Sequence, residues 1–236
     1  MSLWGKLLDL LFPPRCAFCG ALLDGEDGVC PACEAALRGL EGPGLCALDF
    51  GPCAAAFRYE GVVRQGVHGL KFRGRRQSAA VFARYMAQAA AEQLAGAFDA
   101  VTFVPVSEQR LRQRGYDQSR LLSEAMAALW DTQAEAVLEK IRDNPAQSGL
   151  SSAEERRENV RGAYRVKAGA RVAGRRFLLV DDVVTTGSTM GACAAALRSA
   201  GAAGVAGCAL ASPGVSSPGR QGGVTGPGTI SAGSGR

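Results

Sequence analysis

The chemistry of this chain is concentrated in residues 177–189, where an apolar run ends in two adjacent carboxylates and then in a turn rich in hydroxyl groups and glycine. The apolar residues 177–180 predict a buried strand, and the helical pattern over residues 190–200 predicts a helix directly after the turn. The first amides of a helix have no intrahelical acceptor, and the helix dipole is positive there. The turn therefore predicts a phosphate site whose N–H and O–H donors come from Thr185, Thr186, Gly187, Ser188 and Thr189.

Two carboxylates, Asp181 and Asp182, stand between the predicted strand and this turn. In open α/β sheets ligands bind at the carboxyl ends of the strands, so both side chains are expected at the ligand edge. Ionised carboxylates accept hydrogen bonds, which suits the vicinal hydroxyls of a ribose beside the phosphate. Each residue type is also common in ordinary helix caps and turns, but their ordered combination favours a sugar-phosphate site. The missing Gly-Lys-Ser/Thr ending excludes a Walker A loop.

A second kind of chemistry is indicated by two Cys-x2-Cys pairs near the N-terminus. Four thiolates complete a tetrahedral shell, so the pairs predict one structural Zn²⁺. The predicted ligands are Cys16, Cys19, Cys30 and Cys33. Disulfides are disfavoured because nothing in the sequence directs the chain to an oxidising compartment. Loss of the metal is expected to loosen the residues before about position 54 and to spare the rest. No role is assigned to Cys46, Cys53 or His68.

Length and composition predict a globular protein, since 236 residues with 47% hydrophobic content can bury one core and carry a small accessory module. The net charge of +5 is modest, but the arginines cluster in residues 64–76, 110–120 and 156–176, which suits polyanions such as pyrophosphate or nucleic acid. No apolar stretch approaches the roughly 20 residues that span a bilayer, so we expect a cytoplasmic protein without stable membrane insertion. The Leu/Trp stripe in residues 3–11 predicts a short amphipathic helix, for which docking on the protein is a commoner outcome than binding to a membrane.

The larger part of the chain alternates helices and strands, which predicts an α/β fold with a mostly parallel sheet. Further helices are predicted over residues 77–94 and 118–130, and further strands over 100–106, 136–138 and 205–209. The polar, arginine-rich residues 140–176 predict a functional flap. We expect three parts: an N-terminal helix and zinc-ribbon module (1–54), the α/β domain (55–211) and a disordered tail rich in Gly, Ser and Pro (212–236).

Residues 177–189 resemble the motif that binds phosphoribosyl pyrophosphate (PRPP) in type I phosphoribosyltransferases. Residues 104–107, 114–118, 147–150 and 157–164 also look like the ComF family of bacterial competence-associated proteins. This resemblance covers about residues 3–211. It implies a sheet of the type I phosphoribosyltransferase kind, preceded by a small zinc-binding module.

The resemblance also implies roles for individual residues. The turn at 185–189 would hold the 5-phosphate of PRPP, the two aspartates would take the ribose hydroxyls, and the pyrophosphate would point towards Val106 and Ser107. Mg²⁺ bound with PRPP, together with arginines, would stabilise the charge of the leaving group. The catalytic candidates are Arg112, Arg114, Arg142 and Arg157. Arg142 and Arg157 belong, with Gln147, to a stretch that resembles a loop closing over the site.

Three functions are compatible with these residues. The first is a phosphoribosyltransferase of unknown acceptor that releases pyrophosphate. The second is a module that binds single-stranded DNA or competence proteins during DNA uptake without turnover, and the third is a non-catalytic PRPP-sensing regulator. Thr185 stands where purine transferases carry a general-base Asp, which weakens a hypoxanthine or guanine assignment.

Overall fold

The computed structural model describes residues 13–23, 28–142 and 162–213. Within these ranges the chain forms a five-stranded sheet, a separate two-stranded ribbon and six helices. The strands are β1 (Glu41–Leu48), β2 (Gly51–Arg58), β3 (Ala100–Phe103), β4 (Leu138–Lys140), β5 (Tyr164–Val166), β6 (Arg176–Val183) and β7 (Gly204–Ser212). The helices are α1 (Pro31–Leu37), α2 (Gly61–Phe72), α3 (Ser78–Gln93), α4 (Glu108–Arg114), α5 (Gln118–Ala128) and α6 (Ser188–Ser199).

The main sheet has the strand order β1-β2-β7-β6-β3. Strands β2, β7, β6 and β3 are parallel to one another, and β1 is an antiparallel edge strand. The two-stranded ribbon pairs β4 with β5 in antiparallel fashion. The predicted α/β fold with a mostly parallel sheet is therefore confirmed. Because β6 and β3 are parallel neighbours, their carboxyl ends meet at one edge of the sheet.

Strand β6 is buried on both faces because its side chains alternate between two clusters. Leu178 and Val180 join the cluster formed with α2, α3 and α5, whereas Phe177 and Leu179 join the cluster formed with α6. A parallel strand covered on both sides reads as a continuous apolar run, which is the pattern of residues 177–180. This double burial fixes the position of the polar residues that follow.

The predicted helices at 77–94, 118–130 and 190–200 correspond to α3, α5 and α6, and the predicted strands at 100–106, 136–138, 177–180 and 205–209 correspond to β3, β4, β6 and β7. The predicted end of β6 is wrong, because its ladder with β7 continues to Val183 and both aspartates lie inside the strand. Strand β7 is long enough to supply partners there, namely Ala209 and Ala211. The sequence patterns did not predict α2, α4 or the β1–β2 hairpin.

The cysteine-rich segment is part of the main core. The ring of Phe18 packs against Phe57 and Phe82, with centroid separations of 5.9 and 5.1 Å. Cys16 and Cys33 are buried in the same cluster. The expected boundary between residues 54 and 55 falls within β2, which pairs with β7. The segment and the α/β part thus share a core and a sheet.

Several predicted features lie outside the described residues: the stripe at 3–11, the loop residues Gln147 and Arg157, and the tail from residue 214. Ser212, predicted as the first tail residue, is the buried last residue of β7. Among the helices that the structure describes, none has the length and apolar character needed to cross a membrane.

Candidate functional site

The turn between β6 and α6 has the form of an anion-binding corner. Gly187 is the N-cap of α6 and has a φ of +73°. Residues other than glycine adopt this left-handed backbone conformation only with strain. The Oγ1 of Thr186 lies 2.7 Å from the Oγ of Ser188, so the two hydroxyl groups meet over the first turn of the helix. A cavity of about 40 Å³ is lined by this turn and by Asp181. The five predicted phosphate-binding residues are therefore brought together.

Asp181 is one of the residues that line this cavity. Its Oδ1 accepts hydrogen bonds from the Ser119 hydroxyl and from the Asp182 amide, both at 2.8 Å. Burial, together with the neighbouring charge of Asp182, raises the pKa of Asp181 to about 7. Ser119 belongs to α5, so this helix positions the carboxyl group. A carboxyl group held in this way can accept a hydrogen bond from a sugar hydroxyl at the cavity.

Asp182 points to the opposite face of β6, because successive residues of a strand alternate. It is 3% exposed, and its Oδ2 lies 2.9 Å from the Nζ of Lys71, at the end of α2. This contact is an ion pair. Burial opposes a charge on Lys71, but the Asp182 carboxylate outweighs it and raises the pKa of Lys71. The sequence analysis missed Lys71, because nothing local to α2 indicates a partner on β6.

The segment after β3 is also placed at this edge. Ser107 is the N-cap of α4, and its hydroxyl accepts from the Arg110 amide at 3.3 Å. The amide of Val106 donates to the Oδ2 of Asp117 at 2.9 Å. Burial raises the pKa of Asp117, although the amides of Val106 and Arg120 act in the opposite direction. The amide of Val106, a residue predicted to lie near the pyrophosphate, is thus already bonded, and Asp117 is a further, partly buried carboxyl group.

Two of the predicted catalytic arginines, Arg112 and Arg114, belong to α4 and lie on different faces of the helix. The side chain of Arg112 is 74% exposed and pairs with Glu108 at 3.2 Å. Arg114 donates to the Oε1 of Gln118 at 2.8 Å, and its guanidinium lies 5.0 Å from the ring centroid of Phe72. Burial lowers the pKa of Arg114, and the charge of Asp182 opposes that shift, which places Arg114 near the aspartate pair. Only Arg114 of these two is directed towards the site.

Two neighbouring features complete the basic side of the site. Arg110 stands one helical turn before Arg114, and its positive charge lowers the pKa values of both Arg114 and Tyr164 relative to what the other contributions would give. Arg142 is exposed and follows β4 by two residues. Among these basic groups, Lys71 contacts Asp182 and Arg114 interacts with its charge, whereas Arg110 lies beside Arg114.

The zinc-binding prediction concerns a separate site. The Sγ atoms of Cys16, Cys19, Cys30 and Cys33 all lie within 4.8 Å of one another. The Cys19 and Cys30 sulfurs are 3.7 Å apart, close to the separation of about 3.8 Å that a tetrahedral Zn–S distance of about 2.3 Å requires. Burial raises the pKa values of Cys19 and Cys33, whereas at Cys16 burial is outweighed by nearby backbone amides, which lower the pKa to about 6. These four residues fit a structural Zn²⁺.

The remaining cysteines near the N-terminus do not join this cluster. Cys46 and Cys53 are cross-strand partners in the β1–β2 hairpin. His68 packs its ring 5.0 Å from the ring centroid of Phe72, at the end of α2. In the ranges that the structure describes, the four-cysteine group is the one cluster of metal-ligating side chains.

Two known domains match segments of this chain. Residues 7–58 match a double zinc ribbon domain, and residues 117–221 match a phosphoribosyl transferase domain. The chain is 37% identical over 145 residues to DNA utilization protein YhgH of Salmonella typhimurium, a match covering 58% of this chain and 61% of that protein. It is 34% identical over 105 residues to competence protein F of Haemophilus influenzae, covering 44% of this chain and 45% of that protein.

Two solved structures show a weaker similarity. One is the allosteric regulatory enzyme of purine biosynthesis, with 25% identity, a TM-score of 0.38 and coverage of 62% of this chain and 27% of that chain. The other is glutamine PRPP amidotransferase from B. subtilis, with 24% identity, a TM-score of 0.36 and coverage of 61% and 27%. The sequence relatives and the two domain matches confirm the resemblance to the ComF family and the zinc-ribbon plus phosphoribosyltransferase-like organisation. The matched segment spans less than two thirds of the length of these relatives.

Proposed function

We propose that this protein binds PRPP at the carboxyl end of β6 and transfers the phosphoribosyl group to an acceptor, with release of pyrophosphate, in a process linked to DNA uptake. The observation that carries the proposal is that a partly buried carboxyl group, Asp181, and a phosphate-type turn line a single cavity. The phosphoribosyl transferase domain match covers that segment. The link to DNA uptake rests on the names of the relatives, DNA utilization protein and competence protein F.

In this proposal the turn binds the 5-phosphate. The first amides of α6 and the hydroxyl groups of Thr186 and Ser188 are donors, and the positive end of the helix dipole adds to their attraction for an anion. Gly187 is essential because a side chain at this position would meet Leu48, whose Cδ1 would be 2.9 Å from an added Cβ. The backbone can therefore approach the phosphate closely.

The ribose hydroxyls would be bound by Asp181 and Asp182. Asp181 already faces the cavity, whereas Asp182 is engaged by Lys71. A sugar hydroxyl that reaches Asp182 would share it with Lys71, and Lys71 could then also contact the negative charge of the substrate. Lys71 thus acts as a positioning residue for Asp182 and as part of the positive surface around the pyrophosphate.

The reaction breaks the bond between C1 of the ribose and the pyrophosphate oxygen, which leaves with the electron pair, and forms a bond from C1 to the acceptor, which loses a proton. The developing charges require cations more than a strong nucleophile. Mg²⁺ bound with PRPP would neutralise part of the pyrophosphate charge. Lys71, Arg110 and Arg114 supply further positive charge at the same edge. The turn offers Thr185 and no carboxylate to an incoming acceptor, so the proton passes to solvent or to pyrophosphate.

Thermal unfolding with PRPP, with and without Mg²⁺, tests the binding step. A ligand at a hundred times its Kd stabilises a protein by about 2.7 kcal/mol, so a clear rise in Tm is expected. Asp181→Asn should reduce the rise. Asp99→Asn is the matched control, because Asp99 pairs with Arg176 at the opposite end of β6. An equal rise in the wild type and Asp181→Asn would remove Asp181 from the site.

Pyrophosphate release across a panel of nitrogen bases tests the transfer step. Release that depends on an acceptor identifies a transferase, whereas PRPP binding without release for any acceptor would support a PRPP-sensing role. The zinc-bound thiolates are stable in a reducing compartment, so the proposal includes a cytoplasmic location.

Single-stranded DNA binding is a second candidate, favoured by one observation. Residues 61–91 contain six basic residues and no acidic residue. Four of them, Arg64, Arg73, Arg76 and Arg84, are exposed, which suits a phosphate backbone, and binding should weaken steeply with salt. A salt-independent interaction, or none at all, would remove this candidate.

A further inference from the structure

The aromatic ring of Phe72 is an unusual surface feature beside the proposed substrate site. Phe72 is 62% exposed, although a large apolar side chain is most stable when buried. It is the last residue of α2 and directly follows Lys71, which contacts Asp182. The ring is therefore held at the rim of the site by the same helix end that reaches the aspartate.

Two planar groups, one guanidinium and one imidazole, lie next to the ring of Phe72. The guanidinium of Arg114 lies 5.0 Å from the ring centroid, and the imidazole of His68 lies 5.0 Å from it at an interplanar angle of 51°. Arg114 is itself near enough to Asp182 for the two charges to interact. The exposed ring is thus linked to Asp182 of the proposed ribose-binding pair in two ways. Phe72 directly follows Lys71, which contacts Asp182, and its ring contacts Arg114, whose charge interacts with Asp182.

The charge of this surface restricts what can bind to it. Arg73 and Arg76, which follow Phe72, are both exposed, and Arg76 lies over the ring of Tyr116 at 4.6 Å. An apolar peptide would gain contact with one ring but would meet guanidinium groups on its flanks. A planar heterocycle attached to, or accompanied by, phosphates satisfies both features, because bases stack on aromatic rings while cations bind phosphate.

We propose that Phe72, backed by Arg114, stacks a nucleobase at the mouth of this site. The inference rests on the proposed function in one respect: C1 of a bound ribose is bonded to C2, one of the carbon atoms whose hydroxyls the aspartates would take, so a base joined to C1 would lie beside Asp182, where Lys71 and Phe72 end α2. The chemistry, a planar heterocycle beside phosphate, is shared by a free base that accepts the sugar and by a base within a single strand. The two sources are distinguished experimentally.

Fluorescence of 2-aminopurine, which changes when the base stacks, provides the test. Two probes are titrated into the full-length protein: free 2-aminopurine in the presence of PRPP and Mg²⁺, and an oligothymidylate that carries one central 2-aminopurine. Stacking on an aromatic side chain contributes enough that Phe72→Ala should weaken binding by about tenfold or more. Phe72→Leu should weaken it comparably, because it keeps apolar surface without the π face, and Phe72→Tyr should behave like the wild type.

Leu129→Ala is the matched control, since Leu129 is a 51% exposed apolar residue at the far end of α5 from Asp117. A response of the free base alone assigns an acceptor site, and a response of the oligonucleotide alone assigns a single-strand site. Failure of both probes to bind, or equal affinities of the wild type, Phe72→Ala and Phe72→Leu, overturns the inference. PRPP-induced Tm shifts recorded on the same samples separate this result from the proposed function. A shift without any probe response removes the stacking role and leaves PRPP binding intact, whereas a probe response without a shift does the reverse.

Discussion

Lys71 and Asp182 form a buried ion pair that joins the end of α2 to the carboxyl end of β6, with Nζ and Oδ2 2.9 Å apart. A charge buried without its partner is strongly unfavourable, so each residue depends on the other. The pair places a cation and an anion side by side, and a bound sugar pyrophosphate could contact both of them. It also makes the two aspartates chemically unequal, since Asp181 has Ser119 as its partner.

Removing one member of this pair should destabilise the fold. Lys71→Met leaves Asp182 buried without compensation, and Asp182→Asn leaves Lys71 in the same condition, so each should lower the unfolding free energy by about 3 kcal/mol. The double variant should recover much of that loss, because neither charge remains. Urea denaturation of the four proteins measures the coupling. Additive losses would show that the ion pair contributes nothing.

Unlike the variants of the ion pair, Asp181→Asn should stabilise the fold at pH 8. The pKa of Asp181 is about 7 in the folded chain, against about 3.9 for an unfolded aspartate. Between these pH values the folded chain keeps a proton that the unfolded chain has lost, so stability falls as pH rises from about 4 to about 7. The Asn variant has no proton to lose and its Oδ1 can still accept from Ser119. It should be more stable than the wild type at pH 8, with the difference closing towards pH 4. A difference that is independent of pH in urea denaturation would contradict this.

Arg114 and Arg112 offer a matched comparison on one helix. Arg114→Ala should weaken PRPP binding more than ribose 5-phosphate binding, because its charge is expected to act on the pyrophosphate. Arg112→Ala should leave both affinities near the wild-type values, since Arg112 is exposed and paired with Glu108. Calorimetric titration with both ligands distinguishes the two. Equal losses for the two ligands in Arg114→Ala would place that arginine outside the pyrophosphate region.

Gly187→Ala tests the close approach in the phosphate turn. The positive φ alone should cost about 1 kcal/mol, and the added methyl group also meets Leu48. Gly174→Ala is the control, because Gly174 has a φ of +75° with open space around an added Cβ. Gly187→Ala should therefore be the more destabilised, and a Leu48→Ala background should reduce the difference between the two. Equal losses of Tm would show that Leu48 does not restrict the turn.

The zinc site should bind one metal ion per chain. Cys16→Ser should abolish tight binding, and Cys46→Ala should retain it, because Cys46 lies in the hairpin and outside the cluster. Since Cys16, Phe18 and Cys33 belong to the main core, chelation should lower the Tm of the whole protein rather than loosen only the residues before 54. Elemental analysis and thermal unfolding test the two statements. A content of two zinc ions, or an unchanged Tm after chelation, would count against them.

The parts of this site that sequence could predict are those encoded locally. The order of residues in the turn and the spacing of the cysteine pairs are short-range signals, and both sets of side chains converge as expected. Lys71 is different, because its partner lies on a distant strand and no local pattern connects them. Arg112 and Arg114 could not be separated either: α4 is short, polar and without buried residues, so no periodicity marks its inner face. The end of β6 depended on the length of β7, which is a tertiary effect.

The position of β2 determines how this protein can be divided. Strand β7 is buried along almost its whole length, and β2 is one of its two neighbours in the sheet. A chain begun at residue 55 would lose half of β2 and would leave backbone groups around Gly207 and Cys208 without partners. An apolar strand edge of this kind recruits edges from other molecules and promotes aggregation. The hairpin next to the zinc site therefore protects the sheet from self-association, and the transferase-like part should be produced in soluble form only when it keeps that hairpin.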